Sequence, residues 1–336
     1  MKADASAVNA SFPRLVADIG GTNARFGWLG DASSPVQHVR RLSVMAHAGP
    51  AQAVRAYLGE IGHLMGAEPC PPRRAAFAVA SSVTGDRIDL TNSHWGFSRA
   101  EVQAQLGLDT LQVLNDFEAL ALSLPRLGSA QLRSFGDRPL PGGPTGTLAA
   151  IGPGTGLGVA GVVQTPHGWV ALSGEGGHAT LSAADGFESD LLAFVRRERP
   201  HVSAERLLSG IGLPVLHAAV AAITGTTTPA LTAEEIVERG TTGSDPGCAR
   251  TLDVFCALLG GFAGNVALTL GARGGVYIGG GIVPRLGERF FTSRFRERFE
   301  AKGRFRSYLE AIPTLLITDT EAALTGAALA IEQSGR

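Results

Sequence analysis

The chain has 336 residues, long enough for about two domains. Hydrophobic residues make up 44% and charged residues 18%, a globular composition that excludes a disordered chain. The net charge is -1 and no basic tract runs five residues, so neither nucleic acid nor an anionic membrane is an expected partner.

The first 13 residues are small and polar. They read as a disordered extension without the apolar region of a signal peptide. A strand is predicted over 15–19, a glycine turn at Gly20-Gly21-Thr22-Asn23, and a second strand over 24–29, together a hairpin. Residues 49–65 have helical spacing, 75–80 form a short buried strand, and 98–106 a helix. A strand over 111–114 stops at Asn115-Asp116, and 120–127 continues as a helix. The Pro/Gly-rich stretch 136–146 reads as a loop near a domain border. The opening pattern then recurs, with an apolar run over 147–151, the turn Gly152-Pro153-Gly154-Thr155-Gly156, and an apolar run over 157–163. A long helix follows over 251–270, then a strand over 274–278 ending in Gly279-Gly280-Gly281, and an Ala/Leu-rich helix over 321–331. Residues 257–272 are apolar enough to resemble a membrane span. The segment is short and holds Asn265 and several glycines, so a buried core helix is expected. Strands and helices alternate in both halves, which makes the class α/β on a repeated plan. Cys70, Cys248 and Cys256 are odd in number and never spaced CxxC. This argues against a disulfide framework or structural zinc and for a cytoplasmic protein.

Three glycine clusters, Gly20-Gly21-Thr22, 152–158 and Gly279-Gly280-Gly281, can each turn several backbone N–H groups onto one anion. Each can equally be a tight turn without a ligand. Thr22 and Thr155 add hydroxyl donors beside two of them. No GxxxxGK[ST] occurs, which excludes a P-loop. Gly174-Glu175-Gly176-Gly177-His178-Ala179 lacks the strand-then-helix setting of a dinucleotide fingerprint. Asp18 lies in an apolar strand, where an unpaired carboxylate is costly. Either local backbone N–H groups satisfy it or it faces Mg²⁺ through water. Asn115-Asp116 ends a buried strand, the position where α/β proteins bind ligands. The pair can cap the following helix. It can also supply polar groups for sugar hydroxyls and one base for phosphoryl transfer. Glu175 and His178 place an acceptor and a donor on a glycine-flexed loop, although a lone histidine is more often structural. Glu205 has no local distinction and reads as a surface helix residue.

The segments that matter together are Ala17-Asp18-Ile19-Gly20-Gly21-Thr22-Asn23-Ala24-Arg25, Asn115-Asp116-Phe117, Gly152-Pro153-Gly154-Thr155-Gly156-Leu157-Gly158, Glu175-Gly176-Gly177-His178, Ser203-Ala204-Glu205-Arg206-Leu207-Leu208-Ser209-Gly210 and Gly279-Gly280-Gly281-Ile282-Val283-Pro284-Arg285. In this order, over 15–330, the set resembles the proteobacterial-type glucokinase family of the actin-like ATPase superfamily. The resemblance implies two ribonuclease-H-like α/β domains with ATP and glucose in a cleft between them. The small domain would hold 14–127 plus 318–336, and the large one 128–317. Ala17, Asp18, Ile19, Gly20, Gly21 and Thr22 would form the first ATP loop, with Asp18 on Mg²⁺ through water. Gly154, Thr155 and Gly156 would form the second, and Gly280 and Gly281 would lie by the adenosine. Asn115, Asp116, Glu175, His178 and Glu205 fall on the family's glucose-contact positions, with Asp116 as catalytic base. Ala17 stands where many relatives have glycine, and Pro153 where many have alanine, which stiffens the second loop. No cysteine-rich motif follows His178 and no helix-turn-helix region precedes residue 15, which sets the chain apart from the related repressor/kinase family. The implied protein is a cytoplasmic glucokinase of glycolysis, acting as a homodimer. The alternatives are a kinase for another hexose, a non-catalytic sugar sensor and an actin-like filament protein.

Overall fold

The opening hairpin forms as predicted in the computed structural model, which describes residues 12–32, 34–65, 70–91, 93–136 and 143–334. The expected N-terminal extension, up to residue 11, and residues 137–142 of the Pro/Gly-rich loop lie outside them. Strand β1 (Arg14–Ile19) pairs antiparallel with β2 (Asn23–Leu29), and β2 with β3 (Gln37–Ser43). Helix α1 (Pro50–Met65) crosses to β4 (Arg74–Val79), which adds parallel to β1. A small hairpin of β5 (Arg87–Asp89) and β6 (Gly96–Ser98) precedes helix α2 (Arg99–Leu106). Strand β7 (Thr110–Asn115) adds parallel to β4 and runs directly into helix α3 (Asp116–Ser123). The sheet order is β3-β2-β1-β4-β7.

The plan repeats after β8 (Leu132–Ser134). Strands β9 (Thr147–Pro153) and β10 (Leu157–Thr165) form the second antiparallel hairpin, followed by β11 (Gly168–Leu172). Helices α4 (Gly186–Arg196), α5 (Leu213–Thr224), α6 (Ala233–Thr242) and α7 (Pro246–Leu270) lead to β12 (Gly275–Ile278), parallel to β9. Short helices α8 (Glu288–Thr292), α9 (Phe295–Glu300) and α10 (Arg306–Glu310) lead to β13 (Thr314–Ile317), parallel to β12, and helix α11 (Ala322–Gln333) ends the chain's described part. The strands run β10-β9-β12-β13-β8.

The chain divides into two compact units. One holds Met1–Arg126, His167–Ala171 and Thr320–Arg336, and the other Leu127–Pro166 and Leu172–Asp319. Each has its own hydrophobic core, the first around β1, β4 and α1 and the second around β9, β12 and α7. The α/β class on a repeated plan is therefore observed.

Helix α7 begins five residues before the predicted start. The Asp245 carboxylate accepts the N–H groups of Gly247 (2.8 Å) and Cys248 (3.0 Å), and Pro246 occupies the first turn, so Asp245-Pro246 is a cap signal. By length and composition α7 could cross a membrane, but most of its apolar window is buried, as expected of a core helix. Helix α11 lies so close on α3 that a methyl at Gly326 would collide with the Ala119 carbonyl. This close packing fixes α3, and with it the residue at its first turn, Asp116.

Candidate active site

In the first unit the parallel register sets Ile19, Val79 and Asn115 side by side. The carboxyl ends of β1, β4 and β7 thus open in one row, the usual ligand edge of an α/β sheet. Asn115 caps α3. Its Oδ1 accepts from the N–H groups of Phe117 (2.9 Å) and Glu118 (3.3 Å), and its Nδ2 donates to the Ser81 carbonyl (3.2 Å). The cap thus exists and fixes the amide, whose side chain also hydrogen-bonds to Asp116. Asp116 follows as the first residue of α3, and its Oδ1 also accepts from Phe117 N–H at 2.9 Å. Burial, and secondly the nearby Asp18 carboxylate, push its carboxyl up to about 6, against the pull of the Phe117 N–H bond. A base with that value is ionised at neutral pH yet holds a proton more readily than an ordinary carboxylate.

Within the protein, Asp18 has a partner that the sequence reading did not name. Arg25 stands directly opposite it in the hairpin register, and its Nη1 lies 2.9 Å from Asp18 Oδ2. Burial pushes the Asp18 carboxyl up and Arg25 pulls it down. Ala17 and Ile19 are fully buried, with β2 paired on one side and β4 on the other. The N–H groups of Gly21 and Thr22 find no acceptor among the described residues, and Thr22 is exposed. That is the makeup of an anion-binding turn.

In the second unit Glu205 sits in a turn, not on the helix surface its local sequence suggested. Its side chain is 21% exposed. Its Oε2 accepts from Leu157 N–H at 2.8 Å, and its own N–H donates to the Gly177 carbonyl at 2.8 Å. His178 lies between two carboxylates, with Nδ1 3.9 Å from Glu205 Oε1 and Nε2 4.0 Å from Glu175 Oε2. Those spacings exceed a hydrogen bond. The Glu175 and His178 side chains are exposed. Beside them the loop Gly154-Thr155-Gly156 is tied by Gly154 N–H to Gly156 O (2.8 Å) and by Gly210 N–H to Gly154 O (2.7 Å). The N–H groups of Thr155 and Gly156 find no acceptor among the described residues. Gly280 has φ +76, and a methyl there would collide with the Pro153 carbonyl, so the third glycine cluster rests against the second. Gly280 and Gly281 are both exposed.

Three contributors escaped the sequence reading: Arg25, Ser81 and Leu157. Arg25 carried a signal, because a hairpin turning at 20–22 places it across from Asp18. The other two act through backbone atoms, which side-chain chemistry does not announce.

A family profile described as Glucokinase matches residues 15–334. The glucokinase of Aromatoleum aromaticum is 50% identical over 325 residues, covering 96% of each chain. That of Neisseria meningitidis serogroup B is 46% identical over 324 residues, again 96% of each. Among solved structures, a glucokinase from an Antarctic psychrotroph matches with a TM-score of 0.86 at 38% identity, covering 95% of this chain and 98% of its own. A ROK family glucokinase from Streptomyces griseus, solved with glucose and AMPPNP, shares the fold with a TM-score of 0.60 at 19% identity, covering 94% of this chain and 98% of its own. With its motifs in order and its profile match nearly end to end, the chain belongs to the glucokinase family.

Proposed function

We infer that this chain is an ATP-dependent glucokinase that transfers the γ-phosphoryl group of ATP to the 6-hydroxyl of glucose. The observation that carries the assignment is Asp116, a carboxyl raised to about 6 at the ligand edge of the first sheet. Asp116 accepts the proton of the 6-hydroxyl as that oxygen attacks the γ-phosphorus. In a loose phosphoryl transition state most of the catalysis is positioning and charge stabilisation. The N–H groups of Gly21, Thr22, Thr155 and Gly156, with the Thr22 and Thr155 hydroxyls, donate to phosphate oxygens. Gly280 and Gly281 flank the adenosine. Asn115, Glu175, His178 and Glu205 hold the sugar hydroxyls.

Asp18 suits Mg²⁺. No cluster of three or more potential metal ligands occurs among the described residues, and a single hard oxygen donor beside a phosphate loop fits an ion that keeps its waters and takes its other ligands from phosphates. When bound, the ion neutralises charge on the β- and γ-phosphates. Asp18 would hold it through water with the oxygen that Arg25 does not engage. The functional domains are 14–127 plus 318–336 and 128–317, and the enzyme works in the cytoplasm as a homodimer.

A coupled assay tests the assignment. Purified protein with Mg²⁺ and ATP is offered glucose, mannose, fructose and N-acetylglucosamine in parallel, and ADP and sugar 6-phosphate are both recorded. Turnover on glucose above all others is expected. Turnover on another sugar alone would replace the substrate, and sugar binding without ADP release would make the protein a sensor.

A further inference from the structure

The second glycine loop and the sugar-binding carboxylate are built into one another. Leu157 N–H, the first donor after the loop, ends on Glu205 Oε2 at 2.8 Å. The Glu205 N–H in turn holds the Gly177 carbonyl at 2.8 Å, one residue before His178. A methyl at Gly177 would collide with the Leu157 carbonyl, so residue 157 meets Glu205 at its N–H and Gly177 at its carbonyl. At position 156 a Cβ would stand 2.5 Å from Glu205 Oε2 and 3.3 Å from its carboxyl carbon. Gly156 thus has no φ in the left-handed region to explain it; what it supplies is room for the Glu205 carboxylate.

We propose that Gly156 and Leu157 are positioning residues for glucose: the nucleotide loop orients Glu205, so the loop's shape and the affinity for sugar are coupled through that one carboxylate. This rests on the sugar role of Glu205 given above. The carboxylate has two oxygens with separate duties. Leu157 fixes Oε2, and Oε1, facing His178 at 3.9 Å, remains for a sugar hydroxyl. An alanine at 156 pushes the carboxylate off the Leu157 N–H and turns Oε1 away from the sugar, although alanine itself touches no sugar atom.

The test is a double-mutant cycle read as the glucose dissociation constant by calorimetry, without nucleotide. Gly156→Ala alone weakens glucose about tenfold, the worth of one hydrogen bond to a charged group. Glu205→Ala weakens it at least as much. The double variant is no weaker than Glu205→Ala by more than about twofold, because the carboxylate that Gly156 positions is gone. Should Glu205→Ala fail to fold, Glu205→Asp replaces it, since the shorter side chain withdraws from the methyl and removes most of the Gly156→Ala penalty. Glu205→Gln keeps both the acceptor and the clash, and the penalty there persists. Fully additive effects of Gly156→Ala and Glu205→Ala would overturn the coupling while leaving Glu205 a sugar ligand. Unchanged glucose affinity in Glu205→Ala would remove the sugar role and the coupling together.

Discussion

The two units each carry candidate carboxylates, and they hold them in opposite ways. In the first, Asp18 and Asp116 are drawn into the sheet's edge, where burial and the Asp18 carboxylate disfavour charge on Asp116 and Arg25 pairs with Asp18. In the second, Glu175 stands in solvent and Glu205 is steered by the backbone of glycine loops. The first arrangement makes a proton acceptor, because desolvation raises the basicity of a carboxylate. The second makes a shaped recognition surface, because backbone N–H groups cannot swing and glycine lets them come near. In the proposed mechanism reactivity is stored as burial in one unit, and specificity as backbone geometry in the other.

That contrast can be broken from either side. The largest effect is expected at the base: Asp116→Ala should lose about 10²–10⁴-fold in kcat, measured with ADP release, while ATP binding is retained. Next comes the packing of the glycine loops. Gly280→Ala forces a side chain into φ +76 and against the Pro153 carbonyl, and should cost about 1–3 kcal/mol in urea unfolding, together with ATP affinity. Arg25→Leu leaves Asp18 without its cation. The expected loss is about 1–2 kcal/mol at pH 7, reduced from the value of a fully buried pair because Arg25 is partly exposed. The sign with pH follows from the charge: burial holds the Asp18 carboxyl above the usual carboxylate range and once protonated it needs no cation, so the penalty shrinks as pH is lowered from 7, and paired melts at a neutral and an acidic pH would show it. The smallest effect is expected at His178, which is 61% exposed: His178→Ala should raise the glucose KM by only about three- to tenfold with kcat nearly kept.

Much of this was legible in the chain itself. Both strand–glycine–strand hairpins could be read, since apolar runs broken by Gly20-Gly21-Thr22 and by 152–156 leave a chain few other choices. The junction at Asn115-Asp116 was legible for the same reason: a buried strand that ends in two polar residues must deliver them to a surface. What stayed hidden was set by distance along the chain. Glu205 looks like any surface glutamate because its partner, Leu157, is 48 residues away. The raised basicity of Asp116 comes first from burial and then from Asp18, 98 positions earlier, which reaches the same row only through the β1-β4-β7 register. Arg25 was the avoidable omission, since the register of a short hairpin can be counted from its turn.

The central claim is that burial in the first unit makes Asp116 the base, and the pH profile of kcat/KM for glucose addresses it most directly. The active form is the ionised one, and the carboxyl titrates at about 6. The account therefore predicts a plateau above pH 7 and a fall of tenfold per pH unit below about 6. A rate that stays level down to pH 5, as an ordinary carboxylate with a value near 4 would give, would contradict it.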